Sequence, residues 1–271
     1  MWQGIRETSV ISVLQLGTQE YGTALALQRK LVDLRKANVI GDVLLLLEHP
    51  PVITLGRNAQ AANIVASPEL LARRGVEVVE CDRGGDVTFH GPGQLVGYPI
   101  FDLRAFTTPE GERKTPGAIE FVRKMEESLI RTCTDFRIAA TRIPKLTGVW
   151  TVPRDTESEP AKIAAIGIHI SRAVTSHGFA LNVNTDLSFF ELIIPCGLAA
   201  KPVTSTAREV GRPVSLDRVA ESITRNFGHV FGRQVLWLES LDALLGSSLG
   251  VPMKVPTNLR KAFGDDGISW A

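Results

Sequence analysis

Cysteine is scarce in this sequence: Cys81, Cys133 and Cys196 are an odd count, with no Cys-x-x-Cys spacing among them. That argues against a disulfide framework and against a thiolate zinc site, and it fits a reducing cytoplasm. Neither sign of charge dominates, because 30 Lys+Arg stand against 29 Asp+Glu. The basic excess that holds nucleic acid nonspecifically is therefore missing, and a charge-guided partner must be met by a local patch. Long apolar runs are missing too. The longest, Val43 to Leu47, is far below the ~20 residues that span a bilayer. Met1 to Val13 shows no basic region followed by an apolar stretch and a small-residue cleavage site. A soluble chain with no membrane span and no secretory signal is expected. A His-Glu-x-x-His helix and a Walker-type loop are also absent, and Gly91-x-Gly93 is followed by Val96 where a dinucleotide fingerprint needs glycine.

What the chain does have is apolar content, 44% of 271 residues. That is enough for one large domain, or one domain with an appendage, without a metal or disulfide staple. Apolar runs bounded by turn residues predict strands near 10–16, 42–48, 76–81, 95–103, 138–141, 149–152, 162–170, 174–183 and 234–238. Helical periodicity covers 21–37, 68–74, 116–133, 215–231 and 241–245. In the third helix Ile119, Val122, Leu129, Ile130 and Cys133 are the expected apolar stripe, which makes Cys133 a core thiol. Only Ser171 to Ala173 separate two strands, which suits an antiparallel hairpin and not a crossover. Gly167 and Gly178 mark close backbone approaches or bulges within them. Residues 153–160 are an acidic surface loop. The expected class is α+β.

Two stretches are unusual for packing alone. Arg83-Gly84-Gly85-Asp86-Val87-Thr88-Phe89-His90-Gly91-Pro92-Gly93-Gln94 holds four glycines in twelve residues, which destabilises ordered backbone unless a turn or a close ligand requires it. With a cation and polar side chains it reads as a loop that receives a carbonyl or anionic group. In the second stretch, Ile193-Ile194-Pro195-Cys196-Gly197, the thiol lies off any apolar periodic face. Pro195 fixes the backbone on one side and Gly197 leaves room on the other. A nucleophilic thiol needs a partner that lowers its pKa. The candidates are His49, His90, His169, His177, His229 or a lysine. His169 and His177 flank the hairpin turn and fit a solvent-facing or structural role as well as a catalytic one. Lys162 opens the strand after the acidic loop and, taken alone, reads as a strand-edge lysine reaching for water.

Several segments together resemble the octanoyltransferase family, the lipoyl(octanoyl) transferases or lipoate-protein ligase B family. They are Glu48-His49-Pro50-Pro51-Val52 with Thr54-Leu55-Gly56, Arg83-Gly84-Gly85 with Thr88 to Leu95, and Gly148-Val149-Trp150. Lys162 to Gly167, His177 to Val183, Pro195-Cys196-Gly197 and Val203-Thr204-Ser205 follow in the family's order, so the likeness covers roughly residues 40 to 210. Phe89 stands where tyrosine is more usual, and Asp86 and the acidic loop are individual. The resemblance implies the catalytic-domain fold of biotin and lipoate protein ligases, a mixed, largely antiparallel β-sheet core flanked by helices. It implies a catalytic domain over 1–238 and leaves 239–271 as a C-terminal extension without a motif.

The same resemblance implies that Cys196 forms an acyl thioester and that Lys162 lowers the thiol pKa and shuttles protons. Substrate would lie against Arg83, Gly84, Gly85, Asp86, Val87, Thr88, Phe89 and His90, against Ala165, Ile166 and Gly167, and against Gly178, Phe179 and Ala180. The implied donor is octanoyl-acyl carrier protein. The implied acceptors are lipoyl domains of 2-oxoacid dehydrogenases and the glycine cleavage H protein. No cofactor and no metal are expected, and neither nucleic acid nor membrane is a partner. Arg137, Arg142 and Lys145, or Lys201 and Arg208, are candidate docking charges for acidic partners. Three other readings remain open. An ATP-dependent ligase of the same fold would adenylate a free acid, an amidotransferase would take octanoyl from one lipoyl-bearing protein to another, and a catalytically idle module would only bind lipoyl domains. Donor assays separate them.

Overall fold

Val43 to Leu47 form an unbroken apolar run because their strand is covered on both faces. The computed structural model of the chain describes residues 10–106, 115–153, 155, 158–194 and 201–248. Val10–Thr18 (β1), Tyr21–Lys36 (α1) and Asp42–Glu48 (β2) make a parallel strand-helix-strand unit. Leu44 and Leu46 of β2 enter one core with Phe121, Met125 and Leu129 of Ala118–Asp135 (α3) and Ile223 and Phe227 of Leu216–Phe231 (α5). Val43, Leu45 and Leu47 enter another with Ala24, Leu31 and Val32 of α1. A strand buried on both sides does not alternate.

Gln94–Ile100 (β6), Ala140–Ile143 (β7), Leu146–Thr151 (β8), Lys162–Ser171 (β9), Val174–Asn182 (β10) and Gln234–Trp237 (β11) complete the main sheet. Its eight strands run β11-β1-β2-β6-β10-β9-β8-β7. The β11-β1-β2 end is parallel and every other pair antiparallel. This is the mixed, largely antiparallel sheet with flanking helices that the sequence led us to expect. Leu241–Ser248 (α6), inside the expected 239–271 extension, buries Leu244 against the α1 side of the sheet. Among the described residues no helix is long and apolar enough to cross a membrane.

The expected stripe of α3 needs correction. Ile119 is 78% exposed, and the buried face is Phe121, Met125, Leu129, Thr132 and Cys133. Phe121 and Met125 bury more area than Ile119 can, and they hold the four-residue spacing that keeps side chains on one face. Cys133 does lie in the core, where burial pushes its thiol pKa up to about 12.

A second, three-stranded sheet was legible only in its 76–81 strand. Val52–Leu55 (β3) pairs in parallel with Glu77–Glu80 (β4) and antiparallel with Val87–His90 (β5). The glycine-rich stretch is thus loop from Arg83 to Asp86, strand from Val87 to His90 and turn from Gly91 to Gly93. Four residues between glycines or prolines give too short an alternation to read, yet Val87 and Phe89 point into a small core with Ile53, Leu71 and Ile193. The short helices Pro68–Arg73 (α2) and Thr206–Val210 (α4) begin at Ser67 and Ser205, whose side chains accept from the backbone N–H of Leu70 and Arg208.

Candidate active site

The β9–β10 hairpin sets the geometry of the site. Arg172 and Ala173 both have positive φ, 49° and 64°, in a two-residue turn that pairs Ser171 with Val174. Alternation along an antiparallel ladder then turns the backbone groups of Ala164, Ile166 and Ile168 away from β10. Ala164 meets Val149 of β8, while the carbonyl of Ile168 accepts from the N–H of Gly84 at 2.9 Å. Between these two anchored ends the sheet is splayed, and the Ile166 backbone faces a cleft of about 650 Å³.

Arg83 to Asp86, Thr88 and His90 line one wall of this cleft, and Lys162, Ala165 to Gly167 and Gly178 to Ala180 line the other. These distant segments are the ones the sequence singled out, and the fold brings them together. Val87 and Phe89 do not join them, because alternation turns their side chains into the small core. Cys196 lies outside the described residues, but both flanks of its segment are tied down. The N–H of Ile194 donates to the carbonyl of Asn63 at 2.7 Å. Beyond the cysteine, the N–H of Lys162 donates to the carbonyl of Pro202 at 2.8 Å and the N–H of Thr204 to the carbonyl of Lys162 at 3.0 Å.

Close approach explains the two strand glycines. A Cβ on Gly167 would lie 2.7 Å from the carbonyl oxygen of Gly84, and one on Gly178 would lie 2.2 Å from that of Gly97. Arg83 is 7% exposed and spends its donors on the protein. Its Nε and Nη2 donate to Thr54 Oγ1 at 3.1 and 2.8 Å, Nη2 donates to the Thr54 carbonyl at 2.6 Å, and Nη1 to the Gly84 carbonyl at 3.1 Å. No carboxylate among the described residues forms an ion pair with it. The guanidinium thus fixes the loop to β3 and sets a positive charge in the cleft wall. Asp86 accepts from the backbone N–H of Gln60 at 3.1 Å and from the side chain of Asn63, which holds the facing turn.

Imidazoles near the cleft are neutral for physical reasons. His90 is buried, and desolvation, with help from the charges of His49 and Arg83, lowers its pKa to about 3. Gln94 donates through Nε2 to Phe89 and Asn182, so its Oε1 accepts from His90 Nδ1 at 2.8 Å and the ring keeps its lone pair on Nε2. Burial lowers His49 to about 4; its Nδ1 lies 2.6 Å from the Gln19 carbonyl and its Nε2 2.7 Å from the Tyr98 hydroxyl. Desolvation also lowers His177, against the pull of Asp82, whose carboxylate sits 2.8 Å from Nε2. His177 is 2% exposed with φ 55°, which sets aside a solvent-facing role. Burial raises the pKa of Tyr21 and Tyr98, so both phenols stay protonated.

Tyr21, Asn58, Tyr98 and Leu146 line the cleft without having been singled out in the sequence. Nothing local marks them, since each arrives from a different element. Lys145 stands exposed at the cleft, whereas Arg142 is occupied by Glu126 and Glu127 and Lys201 by Glu159 at 3.4 Å. Among the described residues no group of three or more His, Cys, Asp or Glu side chains is gathered to hold a metal ion.

The lipoyl protein ligase A/B catalytic domain matches residues 20–228 of this chain. The octanoyltransferase of Koribacter versatilis (strain Ellin345) is 61% identical over 258 residues, covering 95% of this chain and 98% of that one. The octanoyltransferase of Solibacter usitatus (strain Ellin6076) is 52% identical over 229 residues, covering 84% and 96%. Among solved structures, a lipoate-protein ligase A bound with ATP superposes with a TM-score of 0.64 at 15% identity, covering 87% of this chain and 92% of that one. A bipartite lipoate protein ligase from Thermoplasma acidophilum gives 0.62 at 16% identity, covering 87% and 90%. At such identities the structures speak for the fold, and the sequence relatives and the family match carry the assignment: the chain belongs to the lipoyl protein ligase A/B catalytic-domain family.

Proposed function

We propose that this protein transfers an octanoyl group from acyl carrier protein to a lysine of lipoyl domains, those of 2-oxoacid dehydrogenases and the glycine cleavage H protein, through a thioester on Cys196. The observation that carries this reading is the placement of Lys162. It enters the cleft at the start of β9, and its backbone is laced to the Pro202–Thr204 segment just beyond Cys196.

At reference pKa values near 8.5 and 10.4, moving a proton from a thiol to an amine is favourable by about 2.6 kcal/mol in water. Burial opposes the ion pair and mutual attraction favours it. In the first half-reaction the Cys196 thiolate attacks the donor thioester, and Lys162 gives its proton to the departing thiolate. One thioester replaces another, so the acyl group stays activated without ATP. In the second, neutral Lys162 takes the proton of the acceptor amine as that nitrogen attacks the Cys196 thioester. The amide product makes this step downhill. Backbone N–H groups near Cys196, or those of Gly85 and Asp86, are candidates for stabilising the oxyanion, the Gly84 N–H being spent on the Ile168 carbonyl.

An eight-carbon chain needs apolar lining, which Val96, Val122, Leu146, Ile166 and Phe179 supply. Removing about seven CH2 or CH3 groups from water at ~0.8 kcal/mol each favours binding by about 6 kcal/mol before ordering costs. Lys145 at the cleft suits an anionic donor. The cytoplasm is the compartment where such a thiol stays reduced. The test is intact-protein mass after mixing enzyme with octanoyl-acyl carrier protein without ATP, beside Cys196→Ala. A hydroxylamine-sensitive octanoyl adduct on the wild type alone is expected. No adduct, with octanoyl transfer to a lipoyl domain only from free octanoate and ATP, would make the protein a ligase instead.

A further inference from the structure

Lys162 faces Trp150 across the β8–β9 ladder, and the ladder slips there: Val149 opposes Ala164 while Trp150 opposes Lys162. Such bulges re-aim the side chains beside them. Gly148 makes the slip possible. Its φ is 121°, and a Cβ there would lie 2.6 Å from the Ala164 carbonyl oxygen and 3.6 Å from Lys162 Cε. Its N–H donates to Glu126 Oε1 at 3.1 Å. Glu126 is fully buried, and its other oxygen is held by Arg123 at 2.6 Å and Arg142 at 3.1 Å. The strand beneath Lys162 is thus tethered to α3.

Trp150 is fully buried, and Lys162 Nζ sits 4.8 Å from the centre of its ring. Among the described residues the indole Nε1 has no hydrogen-bond partner. An unpaired buried donor is a cost that phenylalanine or leucine would avoid, so packing alone does not account for an indole here. Its face is the strongest of the aromatic side chains for a cation, and the more so when desolvated.

We propose that Trp150 is the positioning residue of Lys162: its ring face holds the ammonium in place, while the Glu126-tethered bulge at Gly148 fixes the direction in which the side chain enters the cleft. This rests on reading Lys162 as the acid–base group. The aromatic face favours the charged amine, so weakening it lowers the pH at which Lys162 loses its proton. Arg83, Asp86, His90, His177 and Lys145 line the same cleft, and Glu126 lies behind Gly148. They stay in place when only the ring is altered.

The experiment places mono-, di- and trifluorinated tryptophan at position 150 of the full chain, and adds Trp150→Phe and Trp150→Leu. The titration of the Lys162 amine is followed by pH-dependent competitive acetylation with acetic anhydride, read by peptide mass spectrometry. Fluorination keeps the ring's shape, so misfolding does not mask the answer. A stepwise fall of the midpoint is expected, reaching about one pH unit in Trp150→Leu, with Trp150→Phe between. A flat series overturns the proposal. Octanoyl transfer by Lys162→Ala is measured separately. A fully active Lys162→Ala enzyme would sink the acid–base reading on which the proposal stands, while a flat series beside an inactive Lys162→Ala would sink only the role of Trp150.

Discussion

Lowering the pH from 7.5 to 5 protonates histidines in the unfolded chain that the folded chain keeps neutral. His49 and His90 have folded-state pKa values of about 4 and about 3, lowered first of all by burial. A base whose folded pKa lies below its unfolded value binds fewer protons when folded, so stability falls as the pH falls below about 6.5. At pH 5 each imidazole then accounts for a loss of about 2 kcal/mol, about 4 kcal/mol for the pair. His177, also lowered by burial, acts in the same direction. Carboxylates whose pKa is lowered by partners, such as Asp102 and Asp135, lose their contribution only below about pH 4, so they do not enter this window. For a chain of about this size, 4 kcal/mol corresponds to a Tm drop of roughly 8–16 °C. Thermal melts at pH 7.5, 6.5, 5.5 and 5 give the slope, and His90→Gln should remove about half of the fall due to this pair. A Tm unchanged across the window, or a His90→Gln slope equal to that of wild type, would refute the reasoning.

Phe121→Ala should cost about 3–5 kcal/mol in urea unfolding, whereas Ile119→Ala, at a site 78% exposed, should stay within about 0.5 kcal/mol; equal losses would contradict the corrected face of α3. Arg83→Lys keeps the charge but loses the fork that binds Thr54 and Gly84. It should lower both stability and transfer rate, and a variant with wild-type melting and kinetics would show that the fork is dispensable. Gly178→Ala places a Cβ against the Gly97 carbonyl and should destabilise by about 1–3 kcal/mol, seen as a lower urea midpoint; an unchanged midpoint would mean that β6 and β10 give way freely.

Legibility in the sequence followed the range of the interactions involved. The β9–β10 hairpin could be read because its strands alternate and only a tight turn fits between them, and β2 because both its faces are covered. Of the second sheet only the 76–81 strand could be, since β3 and β5 are four residues each, beside Pro51 and between Gly85 and Gly91. The face of α3 was displaced because periodicity counts Ile119 as it counts Phe121, while the fold weighs what each can bury. At the site, the Arg83 loop and the two glycine-bearing strands were legible through their motifs. The aromatic and imidazole cluster of Tyr21, His49, His90 and Tyr98 was not, because its members meet only after β2, β5, β6 and the start of α1 have assembled.

The splay between β8 and the Arg83 loop leaves the main sheet one rung short at Ile166, held open by hydrogen bonds above and below it. A sheet in this condition cannot close on itself without breaking the Gly84 to Ile168 bond, and it cannot open further without losing the Val149 and Ala164 pairing. The width of the gap is therefore set by the two anchors that flank it. The Ile166 amide thus becomes a natural reporter for hydrogen exchange, fast while the rung is open and slow once something lies across it.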